Sequence, residues 1–185
     1  GTEPEMMWLK RGEDGKPDGG FSEPYCYHID QFESLRPVFM RVIEYCHAMG
    51  LDMIQGDHED APGQLELNWT FDDVVRNADR LSTYRQICSQ VARENNLIAC
   101  FMTKPFMGVS ASGCHTNISL WRGGEEGVNK LHNDKLPGME GVFTYRTGGE
   151  NTFMPDTDDP QLPGKVGLQC VGGIVKHLGA LTAIG

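Results

Sequence analysis

The chain of 185 residues contains no pair of cysteines at C-x-x-C spacing: Cys26, Cys46, Cys88, Cys100, Cys114 and Cys170 are scattered along it. That excludes a zinc ribbon and argues against a disulfide framework. It suits a reducing, cytoplasmic setting with free, mostly buried thiols. Positive charge is scarce as well. Sixteen Lys and Arg stand against 26 Asp and Glu, a formal net charge of −10, so the clustered cations that a nucleic-acid backbone demands are missing and no nucleic-acid partner is expected. No apolar run is long enough to span a bilayer, no charged-then-apolar leader opens the chain, and no internal repeat is present, so no membrane partner is expected either. What remains, 39% apolar and 23% charged residues, is a globular composition with room for one domain and a substantial core. The chain opens inside a strand pattern and closes after the apolar run Ala183-Ile184-Gly185. Both ends read as cuts through a longer protein.

Periodicity predicts the elements. Residues 2–9 alternate as a strand, with Glu3, Glu5, Met7 and Leu9 on one face and Met6 and Trp8 on the other. Residues 11–23 are rich in Gly, Asp, Pro and Lys and read as a loop. Asp30 and Glu33 form a capping-box pattern before a single helix that carries Phe32, Leu35, Phe39, Val42 and Cys46 and stops at Gly50, with Pro37 tolerated early in it. Residues 51–58 and 64–69 read as a hairpin around Pro62-Gly63. Thr70 with Asp73 then caps a long helix through Val91. Residues 97–102 suit a buried strand, and 114–121 alternate cleanly, with His115, Asn117, Ser119 and Trp121 on one face. Residues 123–163 read as a polar surface excursion with a short hairpin near Val142–Tyr145, and 166–184 return to helical spacing interrupted by Gly172-Gly173. The sum is an α+β fold: a mainly antiparallel sheet with two or three helices packed on it.

The chemistry is concentrated in acidic residues on extended segments. Glu59 and Glu66 flank the Pro62-Gly63 turn, Glu3 and Glu5 share a strand face, and His115 lies on a third alternating segment. Carboxylates are costly to hold together unless a cation neutralises them. Four carboxylates and one imidazole suit Mg²⁺ or Mn²⁺ better than structural zinc, and such ions commonly act with substrate phosphates. Taken singly, each residue has a plain structural explanation. Spacing alone chooses no enzyme class.

Four ordered motifs add a resemblance. Gly1-Thr2-Glu3-Pro4-Glu5, His58-Glu59-Asp60-Ala61-Pro62-Gly63-Gln64-Leu65-Glu66, Phe101-Met102-Thr103-Lys104-Pro105 and Ser112-Gly113-Cys114-His115-Thr116-Asn117-Ile118-Ser119-Leu120 resemble successive motifs of the glutamine synthetase family. Gly172 to His177 is similar to one of its helices, and Gly56 to Asp60 with Asn68-Trp69 looks closest to its γ-glutamylmethylamide synthetase-like branch. The likeness implies a partial catalytic domain over residues 1–185, with a curved antiparallel sheet, helices on one side, and a loop insertion at about 123–163. It implies an ATP-dependent ligase that joins ammonia or a small alkylamine to the γ-carboxylate of glutamate, or a related acid, through an acyl phosphate, using two or more Mg²⁺ or Mn²⁺ ions. By the same likeness Glu5, Glu59 and Glu66 match ligands of the ion nearer the amino-acid substrate, and Glu3 and His115 those of the ion nearer the phosphates. Asn117, Ser119 and Phe71 match nucleotide positions. Ser110 and Ala111 stand where the family has Asn-Gly against the amino-acid substrate, and Tyr27 falls near the ammonium-site tyrosine. The family's substrate arginines, the third ligand of its second metal and its small N-terminal domain have no counterpart in this chain, so the fragment is expected to be inactive by itself and the full protein to form a homo-oligomeric ring. A relative that keeps the fold as a non-catalytic structural or assembly protein is the other class to weigh.

Overall fold

The computed structural model describes residues 1–123, 125–132, 140–147, 149–155 and 162–182. The chain divides into two compact units, one formed by Gly1–Asn117 with Val128–Tyr145 and the other by Ile118–Gly127 with Arg146–Gly185.

The first unit is organised around strand β1 (Thr2–Arg11). Met7 lies between Gln64 of β4 (Gln64–Trp69) and Cys100 of β5 (Leu97–Cys100), and the amino-terminal end of β1 pairs with β6 (Cys114–Thr116), all antiparallel. β3 (Met53–His58) extends the sheet beyond β4 as a hairpin partner. The sheet is open and mainly antiparallel, as its alternating patterns predict. Residues 11–23, read as a loop, also contribute β2 (Pro17–Gly20), because a turn closed by the Gly12 amide on the Lys16 carbonyl returns the chain onto β1.

Alternation sorts β1 into two faces. Met6 and Trp8 join Leu65, Leu67 and Trp69 in a core shared with two helices, whereas Met7 and Leu9 pack with Ala61 and Cys100 on the opposite side. Val38, Phe39, Val42 and Cys46 on one helix, and Tyr84, Ile87, Cys88 and Val91 on another, supply apolar stripes at spacings of three and four. Burying a side chain such as Leu65 or Leu67 fully contributes roughly 1.5–3 kcal/mol of transfer free energy. The acidic residues of β1 are therefore left on the face away from these helices.

The helices differ from the sequence expectation in three ways. The first is broken into α1 (Ile29–Ser34) and α2 (Arg36–Ala48) at Leu35, because Pro37 has no amide to offer the Glu33 carbonyl and its ring crowds that carbonyl. The Asp30–Glu33 capping box does not form: His28 is the cap residue, and Glu33 instead holds Arg36 through two hydrogen bonds of 2.7 and 2.9 Å. Phe32 and Phe39 stack across the break with centroids 4.2 Å apart. Helix α3 (Val74–Glu94) is capped by Asp73, which accepts from the amides of Val75 and Arg76, not by Thr70. Thr70 is held at the sheet end, its amide on the Asp52 carbonyl and its own carbonyl accepting from Arg80. Among the described residues the first unit carries three helices, within the expected two or three, and a fourth lies in the second unit.

The strand expected over 114–121 stops at Thr116. β1 offers a partner only as far as Gly1, whose carbonyl takes the Asn117 amide. Residues Trp121–Arg122 form a separate strand, β7, in the second unit, paired with β10 (Glu150–Asn151). β8 (Glu125–His132) and β9 (Glu140–Thr147) pair as a two-stranded sheet that includes the Val142–Tyr145 segment expected to be a hairpin. Residues 156–161 of the expected excursion lie outside the described residues, as do Ile184 and its neighbours after helix α4 (Lys165–Leu181). Three cysteines are buried (Cys46, Cys88, Cys100), fewer than composition suggested, and all six are free. Among the described residues no helix is long and apolar enough to cross a membrane.

Two glycines punctuate the first unit. After α2 the Gly50 amide bonds the His47 carbonyl and the Leu51 amide the Cys46 carbonyl, a paired closure that requires the left-handed φ of +79° at Gly50. Gly63 has φ +70°, and a Cβ there would sit 2.3 Å from the Trp8 carbonyl oxygen. Gly50→Ala is expected to lower stability by about 1–2 kcal/mol through backbone strain alone. Gly63→Ala carries the same strain plus the clash and is expected to cost more; urea denaturation of the two variants measures the difference.

Candidate functional site

Register builds the site. Glu5 of β1 faces Glu66 of β4, and Glu3 faces His115 of β6. Period-two alternation then points Glu3, Glu5 and Glu66 to the face opposite the helices. One ligand atom each from Glu3, Glu66 and His115 lies within 4.8 Å of the others. His115 Nδ1 is 3.7 Å from Glu3 Oε2. Glu5 joins them at the Gly113 backbone, where a Cβ would be 3.1 Å from Glu5 Oε1 and 3.5 Å from His115 Nε2.

Glu59 is placed by the β3–β4 turn. Its amide bonds the Gln64 carbonyl at 2.8 Å, and the Gln64 amide bonds the Ala61 carbonyl at 3.0 Å. Its carboxyl is pushed up to about 7, first by burial and then by the carboxylates of Glu5, Glu66, Asp57 and Asp60. Glu66 is also raised, by burial first and then by Glu3, Glu5 and Asp57, with the Asn68 amide acting against them. These shifts are the electrostatic mark of negative charge gathered on a partly desolvated surface.

Tyr27 projects beside this group. It sits at φ +54°, with its amide on the His58 carbonyl at 2.7 Å, and the residue is 72% exposed. The Glu59 carboxylate leads the causes that raise its phenol, with Cys26, burial, Asp57 and Glu66 following. Ser110 donates to the Asp60 carboxylate, and the Ala111 carbonyl accepts from Gln64 Nε2 at 3.1 Å. Phe71 is 58% exposed and so is no core aromatic; its Cβ lies 3.7 Å from the Cβ position of Gly1, and Gly1 exchanges backbone hydrogen bonds with Asn117. Asn117 turns its side-chain amide onto Glu3 Oε1 at 2.7 Å. Ser119 belongs to the second unit, where its hydroxyl accepts the Trp121 indole N–H at 3.1 Å.

Sequence reasoning passed over the amides that hold these carboxylates. Asn68 Nδ2 donates to Glu66 Oε1 at 2.6 Å, and Gln64 Nε2 to Glu5 Oε2 at 2.9 Å. Their signal was the alternation Gln64, Glu66, Asn68, which puts all three side chains on one strand face. The donor set of two carboxylate oxygens and one imidazole nitrogen fits a hard divalent cation, and the carboxylates clustered around Glu59 fit it too.

The sequence model of the family described as "Glutamine synthetase, catalytic domain" matches residues 1–145. A glutamine synthetase of Rhizobium meliloti (strain 1021) is 30% identical over 191 residues, an alignment covering 100% of this chain and 37% of that protein. The structure of ligand-free GmaS superposes with a TM-score of 0.73 at 27% identity, covering 99% of this chain and 38% of that one. A GmaS/ADP complex superposes with a TM-score of 0.69 at the same 27% identity, covering 99% and 37%. The chain thus spans under two-fifths of the length of these relatives.

The raised carboxyl of Glu59 has a consequence for stability. Its folded-state value exceeds its ordinary one, so its contribution is complete below about pH 4.5 and is lost as pH rises through about 7. Without divalent cations, Glu59→Gln is expected to match the native protein at pH 5 and to be the more stable at pH 8. Urea midpoints in a chelator at the two pH values check this.

Proposed function

The chain belongs to the glutamine synthetase family, and from that premise we propose that the whole protein is an ATP-dependent ligase that joins ammonia or a small alkylamine to the γ-carboxylate of glutamate, this chain being part of its catalytic domain. The observation that carries the reading is the gathering of Glu3, Glu66 and His115 donor atoms within 4.8 Å, beside Glu5 and Glu59. By the family likeness Glu5, Glu59 and Glu66 would hold one Mg²⁺ or Mn²⁺ ion and Glu3 with His115 a second; the gathering of the Glu66 donor atom with those of Glu3 and His115 makes Glu66 the side chain common to both groups. Such ions supply positive charge where a carboxylate and a phosphate must approach each other. The γ-carboxylate oxygen takes the terminal phosphoryl group of ATP, releasing ADP. The amine nitrogen then forms a bond to the acyl carbon as the bond to phosphate breaks, and the departing phosphate takes up the proton that the nitrogen loses.

This chain's residues orient those partners. The exposed Tyr27 ring beside the Glu59 carboxylate suits a small cationic or hydrogen-bonding amine. Phe71 and Asn117, neighbours through Gly1, present an aromatic surface and a polar edge suited to a nucleotide. Ser110 and Ala111 offer the loop against which the acid's amino-acid end would lie. The chain's six free thiols accord with the reducing cytoplasm. Assembly into a homo-oligomeric ring would complete the site.

The full-length protein with Mg²⁺ or Mn²⁺ is expected to release phosphate from ATP only when glutamate and ammonia or methylamine are both supplied. Release without amine would make it a phosphohydrolase, and no release with any pair would make it a non-catalytic scaffold; either result overturns the reading. Glu66→Ala is expected to weaken Mn²⁺ binding by more than about 100-fold in a paramagnetic titration. Unchanged affinity would show that the ligand set is misassigned.

A further inference from the structure

Gln64 is 99% buried in the first unit, yet its side chain carries four polar contacts. The Ala61 amide donates to Oε1 at 2.9 Å, which settles the orientation of the primary amide, since only oxygen accepts there. Nε2 is thereby directed at three acceptors: Glu5 Oε2 at 2.9 Å, the Ala111 carbonyl at 3.1 Å and Ser112 Oγ at 3.2 Å. Two hydrogens are shared among these acceptors, so the contacts belong to one network.

The acceptors come from different parts of the site. Glu5 belongs to β1, and Ala111 and Ser112 to the segment leading into β6. That segment is tied to the same group at two further points. The Gly113 amide donates to the same Glu5 Oε2 at 3.1 Å, and the Ser110 hydroxyl donates to the Asp60 carboxylate beside Glu59. Glu5 Oε2 is thus saturated by two N–H donors and Oε1 is left for a ligand. A neutral amide does this without adding charge, whereas a Lys or Arg would cancel the negative charge that attracts a cation.

We propose that Gln64 is a positioning residue that couples the metal-binding carboxylate of Glu5 to the 110–113 segment, so that cation affinity and recognition of the acid substrate depend on one buried amide. The inference rests on the ligase reading above and deepens it. A residue that merely filled the core would affect every kinetic parameter alike through stability. A coupling residue separates them.

The test uses the full-length protein. Gln64→Glu keeps an acceptor for the Ala61 amide but removes the Nε2 hydrogens and sets a second carboxylate against Glu5. It is expected to weaken Mn²⁺ binding by about 10–100-fold and to raise the KM for glutamate by at least about tenfold, while the KM for ATP stays within about twofold. Gln64→Met, which removes the network with similar volume, is expected to give the same split if the charged variant does not fold. Should neither fold, Ser112→Ala removes one acceptor at little cost in packing and is expected to raise the KM for glutamate about threefold with that for ATP unmoved. Equal changes in both KM values, or no change in Mn²⁺ affinity and glutamate KM in a folded variant, would overturn the proposal. Absence of Mn²⁺ binding and of turnover in the unmutated protein would instead sink the ligase reading.

Discussion

Like charges confined to one partly desolvated sheet face are the constraint around which the first unit is arranged. Glu3, Glu5, Glu59 and Glu66 come from two strands and a turn, and their mutual repulsion must be borne by something else in the fold. It is borne by the other side of the same sheet. Met6, Trp8, Leu65 and Leu67 alternate with those carboxylates along β1 and β4, and their burial against α2 and α3 is the favourable term that offsets the electrostatic cost. Each strand therefore performs both tasks at once, and a one-residue slip in register would exchange them.

The amides answer a different need. Asn117 on Glu3, Gln64 on Glu5 and Asn68 on Glu66 each occupy one carboxylate oxygen, which fixes the rotamer and leaves the remaining lone pairs for a cation. Hydrogen bonds of this kind lower the freedom of the acidic side chains without neutralising them. Glu59 is oriented differently: its backbone is fixed by the turn, and burial, followed by the neighbouring carboxylates, pushes its carboxyl up to about 7.

Much of this was legible in the residues, for identifiable reasons. β1 and the β3–β4 hairpin were readable because alternation with one apolar face leaves a single workable register, and the Pro62-Gly63 turn marks where the chain reverses. The break at Leu35 was not, because Pro37 is compatible both with an early position in one helix and with the start of another. Thr70 and Asp73 are both competent caps; tertiary bonds to Asp52 and Arg80 remove Thr70 from the choice. The clean alternation of 114–121 predicted a longer strand than forms, since alternation reports a face and not the availability of a partner. At the site, Glu3, Glu5, Glu59, Glu66 and His115 stood out by residue type, whereas for Gln64 and Asn68 alternation marks the shared face with Glu66 and only the contacts show which carboxylate each one holds. Family likeness shared by four motifs, rather than spacing, chose the reaction class.

The turn from Glu59 to Gly63 is tied to its surroundings from several directions. Trp8 donates its amide to the Gly63 carbonyl at 2.7 Å, Ser22 Oγ accepts the Gly63 amide at 2.8 Å while lying 2.6 Å from His58 Nε2, and Gln64 receives the Ala61 amide. A turn anchored in this way travels as one piece with the strands beneath it. Whatever rearrangement accompanies ligand entry, the main chain at Glu59 behaves as an anvil, and adaptation there is confined to rotation about side-chain bonds.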